Sequence, residues 1–149
     1  MTDSLAAIDE LIAEGRLRPQ PPDTVALRAM LTAARADVTA TQTIRTASPS
    51  WSETMLYEAG LRAARVIVQA HGFRIAAERG HVTAIDAANA LTEGRLHRRF
   101  VRLHRMRRVR HTFMYEVGRD PSDSDLEQGR ADVEALLLLA EQVLGTVTG

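Results

Sequence analysis

Cysteine is absent from the chain, which excludes disulfide bonds, thiolate zinc sites and cysteine nucleophiles. Aromatic residues make up only 4% of the sequence, which argues against a β-sandwich or β-barrel. The longest uncharged apolar stretch lies near residues 135–140 and is too short to span a membrane. Because residues 1–5 lack a positive region followed by an apolar run, we expect a cytoplasmic protein that is neither secreted nor bound to a membrane.

Lysine is also absent, so the basic residues are all arginine, and they balance the acidic residues to a net charge of zero. Their distribution is uneven: residues 1–94 carry a charge of −2, residues 95–119 carry +8, and residues 120–149 carry −6. Opposite charge blocks indicate either that the last segment lies near the basic one or that each faces a different partner.

Apolar residues recur at spacings of three and four along most of the chain, which is typical of amphipathic helices. Gly, Pro and Ser/Asp positions separate six predicted helices, and the alternation expected of strands is missing. The predicted fold class is all-α: an antiparallel bundle of about five to six helices in a single domain covering residues 1–149. The helices are predicted over about residues 4–14, 23–46, 50–71, 83–91, 95–117 and 124–145.

Three of these helices have residues with the spacing of a capping motif at their start. The predicted caps are Ser50 with Glu53, Thr83 with Asp86, and Ser124 with Glu127. The third helix is apolar around most of its circumference, so we expect it to be central to the bundle. We also expect Trp51 and Tyr57, near its start, to pack in the core.

The fifth helix has the most unusual composition. Between residues 94 and 114 it contains no acid, and its apolar positions at 96, 100, 103, 106, 109 and 113 predict one buried stripe. Its basic side chains allow two interpretations: a solvated face neutralised by the acidic last helix, or a phosphate-binding surface. The candidate nucleic-acid-binding residues on it are Arg98, Arg102, Arg105, Arg107 and Arg108.

Histidines offer weaker candidate sites. His97, His104 and His111 are seven residues apart, about 10.5 Å along a helix axis, which is too far for one metal ion. We therefore expect no metal and no cofactor. His71 and His81 flank the loop after the third helix, where a helix-terminal cation and a loop hydrogen bond are the expected roles.

Three segments together resemble the HEPN domain, a small helical module found in prokaryotic RNase toxins and their relatives. They are the helix from Leu56-Tyr57-Glu58-Ala59 to His71-Gly72-Phe73-Arg74, the loop Arg79-Gly80-His81, and the stretch from Arg105 to Tyr115. The resemblance covers about residues 50–145, with the helices of residues 4–46 packed on this core. The last segment is similar to the signature helix of the family, in which an Arg precedes a His by four to six intervening residues.

The resemblance implies a metal-independent ribonuclease site containing Arg110, His111 and Tyr115. Tyr115 stands where an active HEPN nuclease has His, and a phenol is a poor base at neutral pH compared with imidazole. Other pairs in this helix, such as Arg105 with His111 and Arg99 with His104, also satisfy the spacing.

Two functions remain open at this stage. The first is an RNA- or nucleotide-directed protein, a relative of ribonuclease toxins. The second is a non-catalytic interaction module that partners a nucleotidyltransferase or an antitoxin. Members of the family typically form dimers, and the third helix is too apolar for a single-sided surface. Together these two reasons predict a homodimer.

Overall fold

The structure, a computed structural model, describes residues 2–115 and 120–148, with the side chains of residues 3–109 and 120–147. The predicted all-α bundle is confirmed: six helices and one short two-stranded ribbon make up the described chain. In chain order these are α1 (Thr2–Ala13), β1 (Leu17–Pro19), α2 (Thr24–Ile44), α3 (Pro49–Ala70), β2 (Phe73–Ile75), α4 (Gly80–Leu91), α5 (His97–Tyr115) and α6 (Asp123–Thr148).

Helix α3 forms the centre of the bundle and packs against α2, α4, α5 and α6. Small residues let these helices approach closely: Gly60 lies where α3 meets Leu103 of α5 and Val133 of α6. The expectation of a central third helix is therefore confirmed. Tyr57 is fully buried as expected, but the core position expected for Trp51 is wrong, because half of this residue is exposed.

The strands β1 and β2 pair in antiparallel register, with Leu17 opposite Ile75 and Arg18 opposite Arg74. The sequence did not predict this ribbon, because three residues per strand are too few to show an alternating pattern. Leu17 is buried, and the neighbouring Arg16 donates from Nε to the hydroxyl of Thr83 on α4 at 2.9 Å. These contacts fix the ribbon to the bundle.

Two predicted caps lie two residues away from the observed ones. Helix α3 begins at Pro49, and Ser48 accepts a hydrogen bond from the backbone N–H of Trp51, so the proposed pair of Ser50 and Glu53 is not the cap. Proline explains the difference, because its fixed φ and missing N–H suit the first helical position.

At the start of α6, Ser122 and Asp125 exchange two hydrogen bonds of 3.0 Å, each from backbone N–H to the other side chain. This reciprocal pair replaces the predicted pair of Ser124 and Glu127.

The third predicted cap is also wrong. Helix α4 begins at Gly80, three residues before Thr83, after Arg79 adopts a left-handed conformation with φ of 56°. Thr83 is fully buried inside the helix, where its hydroxyl accepts from Arg16.

None of the helices in the described part of the chain is long and apolar enough to cross a membrane.

Candidate nucleic-acid interface

Helix α5 follows a sharp reversal of the chain after α4. Glu93 and Gly94 both have positive φ, and the N–H of Gly94 returns to the carbonyl of Asn89, which ends α4. Glycine is well suited to this left-handed position because it lacks Cβ. The predicted apolar stripe then packs Phe100, Leu103 and Met106 into the core.

The outer part of this stripe differs from the prediction. Val109 was expected to be buried, but 40% of it is exposed, and Val101 is exposed to 43%. Both valines therefore lie on the solvent side of α5.

Two arginines of α5 are neutralised by one buried carboxylate of α6. Asp132, only 2% exposed, accepts from Nε and Nη2 of Arg102 at 2.7 and 2.8 Å and from Nη1 of Arg99 at 2.9 Å. The hydrogen bonds to Asp132 are the main cause of a raised pKa at Arg102. Arg102, one of the five candidate nucleic-acid-binding residues, thus has an acidic partner within the protein.

The other acids of the last segment bind elsewhere in the described structure. Their partners are serine hydroxyls or N–H groups, arginines of α2 or α6, and Arg45 directly after α2: Asp120 with Ser50, Asp123 and Glu127 with Arg45, Asp125 with Ser122, Glu134 with Arg130, and Glu141 with Arg35. Helix α6 packs against α5, which is one of the two arrangements that the charge blocks allowed, and its Asp132 neutralises two arginines of α5.

Arg98 and Arg105 keep a positive charge on one exposed face of α5. Arg98, Arg105 and Arg108 are exposed at positions i, i+7 and i+10, which lie on one side of a helix. Arg98 and Arg105 have no hydrogen-bond or ion-pair partner among the described side chains. Arg107 lies nearer the core, where its Nε is buried without a hydrogen-bond partner. We name Arg98, Arg105 and Arg108 the basic face.

The histidines of α5 contact α4. Nδ1 of His97 lies 2.9 Å from the amide nitrogen of Asn89, and Nε2 of His104 lies 2.7 Å from the carboxylate of Asp86. In the part of the chain that the structure describes, no group of three or more His, Asp or Glu side chains could hold a metal ion.

The two histidines of the α3–α4 region also have local partners. Nδ1 of His71 lies 2.8 Å from the carbonyl of Ile67, and Nδ1 of His81 lies 3.1 Å from the hydroxyl of Tyr57.

Arg110, His111 and Tyr115 belong to the last part of α5, and their side chains lie outside the described residues. The helix continues through all three. Positions five residues apart on a helix lie about 140° apart around its axis. A ligand shared by Arg110 and Tyr115 would therefore need a second subunit or a change in helix geometry.

A cleft of about 320 Å³ adjoins the basic face and was not predicted from the sequence. Arg105, Met106 and Val109 of α5 line one side, and Glu53 of α3 and Asp125 of α6 line the other. Burial, with a smaller contribution from the negative charge of Asp125, raises the pKa of Glu53 above its ordinary value. The cleft thus combines apolar side chains with several acids and two cations, Arg102 and Arg105.

No family model, no curated protein and no solved structure matches this chain. A function for it is therefore inferred from its own charges, burial and contacts.

Proposed function

We propose that the chain is a HEPN-like helical protein that binds RNA or nucleotide phosphates through the basic face of α5. The observation that carries the proposal is the pair Arg98 and Arg105, which are exposed on one side of the helix without an acidic partner among the described residues. Seven residues place them about 10.5 Å apart along the axis. Neither guanidinium is neutralised by a described residue, and a planar guanidinium pairs readily with two oxygens of a phosphate through parallel hydrogen bonds.

The positions of the acids on α6 favour a phosphate-binding surface rather than a solvated face that α6 neutralises. A face neutralised by the last helix would pair its arginines with several carboxylates. Asp132 instead binds Arg99 and Arg102, which lie nearer the core, and leaves Arg98 and Arg105 to the solvent. In this proposal Arg99 and Arg102 fix α5 on α6, and the basic face contacts the ligand.

Fluorescence anisotropy with a labelled single-stranded RNA tests the proposal. We expect log affinity to fall linearly with log salt, because each neutralised phosphate releases counterions. Replacing Arg98 and Arg105 together by Gln should weaken binding by about tenfold or more and reduce the salt slope by about two. Each single variant, Arg98→Gln or Arg105→Gln, should weaken binding more than the control Arg28→Gln, which removes one exposed arginine of α2 and should change affinity little. Equal affinities of the double variant and the control would contradict the proposal.

The ribonuclease function rests on Arg110, His111 and Tyr115 and on the resemblance to HEPN nucleases. Because Tyr115 takes the place of the general base, we propose that binding is retained while cleavage is weak or lost. Incubation of a mixed RNA pool with the protein in a chelator measures any metal-independent cleavage directly.

A second function is favoured by the valines beside the basic face. Val101 and Val109 are both exposed, and Arg together with apolar side chains is common at protein interfaces. They support a non-catalytic module whose partner is a nucleotidyltransferase or an antitoxin. Replacing Val101 by Ser separates the two functions, because it should weaken a protein complex and leave the salt-dependent RNA affinity unchanged.

The homodimer remains a prediction, but one of its two reasons no longer applies. The apolar circumference of α3 is covered by α2, α4, α5 and α6 of the same chain, so it needs no second subunit. A dimer would use another surface. Light scattering at micromolar concentration tests it, and a mass equal to the monomer would remove any composite cleft from the proposal.

A further inference from the structure

A second cavity lies on the ribbon side of the bundle, between α3, β2 and the beginning of α4. Its volume is about 430 Å³. No residue of α5 whose side chain is described lines it, so it is separate from the basic face. The lining residues are Gln20, Arg65, Gln69, Arg74, Ile75, Ala76, Ala77, Gly80 and His81.

The lining is cationic and contains no acid among the described residues. Arg65, on α3, has a buried Nε without a hydrogen-bond partner, and Arg74, on β2, has no partner among the described side chains. A buried unpaired donor is costly and is normally satisfied by a protein group or a bound molecule. The α5–α6 cleft differs in this respect, because acids such as Glu53 and Asp125 line it.

The ribbon places a further cation, Arg18, next to the cavity. Arg18 of β1 and Arg74 of β2 lie directly opposite each other in the antiparallel register, and both are exposed. Like charges directly opposite across two strands are destabilising. An anion bound at Arg74 would reduce this repulsion. The pairing of Arg18 with Arg74 therefore favours anion binding at this end of the cavity.

The walls of the cavity are fixed by contacts that do not involve a ligand. The N–H of Gln20 donates to the carbonyl of Gly72 at 2.8 Å, and the N–H of Ala76 donates to the carbonyl of Arg16 at 3.0 Å. His81 is held by the hydroxyl of the fully buried Tyr57. Because its frame is preformed, the cavity can bind an anion without first ordering a loop.

We propose that this cavity binds a small phosphorylated molecule, whose phosphate group lies between Arg65 and Arg74. A phosphate suits two guanidinium groups better than a single carboxylate does, because it carries more negative charge and more acceptor oxygens. The amides of Gln20 and Gln69 and the imidazole of His81 supply neutral polar contacts for the remainder of the molecule. The volume exceeds what a phosphate ion alone needs, so a phosphomonoester with a sugar or a nucleoside is the expected class.

Isothermal titration calorimetry with inorganic phosphate, ribose 5-phosphate, AMP and adenosine tests the proposal. We expect the phosphomonoesters to bind more tightly than inorganic phosphate, and adenosine not to bind. Phosphate as tight as either ester would show that the cavity takes the free ion, and binding of adenosine alone would show that it recognises no phosphate. Either result would overturn the assignment of a phosphomonoester.

Variants locate the binding. Arg65→Gln and Arg74→Gln should each weaken the tighter ester by about tenfold or more, which is the loss expected for one charge-assisted contact. Arg28→Gln, which removes the same charge from α2 outside the cavity, should leave it unchanged. A loss in Arg98→Gln with none in Arg74→Gln would overturn the proposal and place the ligand on α5.

The melting temperature of Arg74→Gln distinguishes a ligand-binding role of Arg74 from a structural one. Without ligand the variant should melt no lower than the wild type, because it removes the repulsion with Arg18. The rise in melting temperature that the ester causes in the wild type should be absent. A variant that melts lower and still responds to the ester would show that Arg74 is structural.

Discussion

Asp132 of α6 and Arg102 of α5 form a bidentate ion pair, with the carboxylate oxygens 2.7 and 2.8 Å from Nε and Nη2 of the guanidinium. The carboxylate is almost completely buried, whereas the arginine side chain is about one third exposed. Arg99 and Gln128 donate to the same carboxylate at 2.9 and 3.2 Å. The acid is therefore surrounded by donors that replace its lost water.

Asp132→Asn tests this pair by removing the charge at nearly constant volume. We expect the free energy of unfolding to fall by about 3 kcal/mol, because breaking a buried ion pair leaves Arg99 and Arg102 without their shared partner. Urea unfolding at neutral pH measures the change.

The control for this prediction is on the same helix. Glu134→Gln removes an exposed acid that pairs with Arg130 one turn away, and it should cost no more than about 0.5 kcal/mol. If the two variants lose comparable free energy of unfolding, the buried ion pair of Asp132 stabilises the protein no more than an exposed pair does.

The sequence predicts the helices well because each helix shows its own period over many residues. Its predicted starts are less accurate, since Ser48 and Ser50, or Ser122 and Ser124, are equally good caps by type. The choice between them depends on Pro49 and on the reciprocal bonds of Ser122 with Asp125. The ribbon is invisible in the sequence because its two three-residue strands are more than fifty residues apart.

The basic helix was also evident in the sequence, but the state of each arginine was not. Which guanidinium meets Asp132 depends on how α5 and α6 are aligned, and no local pattern encodes that alignment. The ribbon-side cavity shows the same limit more strongly. Arg65 and Arg74 come from a helix and a strand, and only the fold brings them to one cavity.

Gly60→Ala should destabilise the protein, because a methyl group there would meet Cδ1 of Leu103 at 2.7 Å and Cγ2 of Val133 at 3.3 Å. Such overpacking costs about 1–3 kcal/mol. The gain of about 1 kcal/mol in helix propensity offsets only part of it. We expect a net loss of about 1 kcal/mol in urea unfolding.

Gly145→Ala is the matched control within α6. No atom of the described residues lies within 4 Å of the added methyl group, so the same change should stabilise the protein by about 0.5–1 kcal/mol. Opposite signs for the two variants are the predicted result. Stabilisation by both would mean that α3, α5 and α6 are less closely packed at Gly60 than the structure shows.

Glu53→Gln should stabilise the protein at neutral pH. Burial raises the pKa of Glu53 above its unfolded value, so the folded state holds the proton more tightly than the unfolded state does. The stability from this group is complete below the unfolded pKa and is lost as pH rises through the folded pKa. The ionised carboxyl is therefore unfavourable at neutral pH, and Gln removes that cost.

The stability difference between Glu53→Gln and the wild type should shrink as pH falls and vanish below about pH 4, where both side chains are neutral. Urea unfolding between acid and neutral pH measures it. Glu10→Gln, at an exposed position of α1, should show no such trend. A variant less stable than the wild type at neutral pH would mean that the ionised form of Glu53 has a stabilising partner in the cleft.

Tyr115→His tests whether the resemblance to HEPN nucleases extends to their chemistry. The variant has four residues between Arg110 and the new histidine, as in the signature helix of the family. An imidazole with a pKa near 6.5 exchanges protons at neutral pH far more readily than a phenol with a pKa near 10. If the scaffold is otherwise intact, RNA cleavage in a chelator should rise by about 100-fold or more, the usual contribution of a general base.

Two further variants identify the source of any activity. Tyr115→Phe removes the phenol without adding a base and should remain inactive. Arg110→Gln in the Tyr115→His background should abolish the gain, because in the proposed site the guanidinium would stabilise charge on the phosphate. Activity that survives the loss of Arg110 would point to a contaminating nuclease or to another pair, such as Arg105 with His111.

A folded Tyr115→His protein that binds RNA with unchanged salt dependence but does not cleave it would contradict the hypothesis that the chain is a ribonuclease that lost activity through Tyr115 alone. It would leave the basic face as a binding surface, because that surface depends on Arg98 and Arg105 and on no proton transfer.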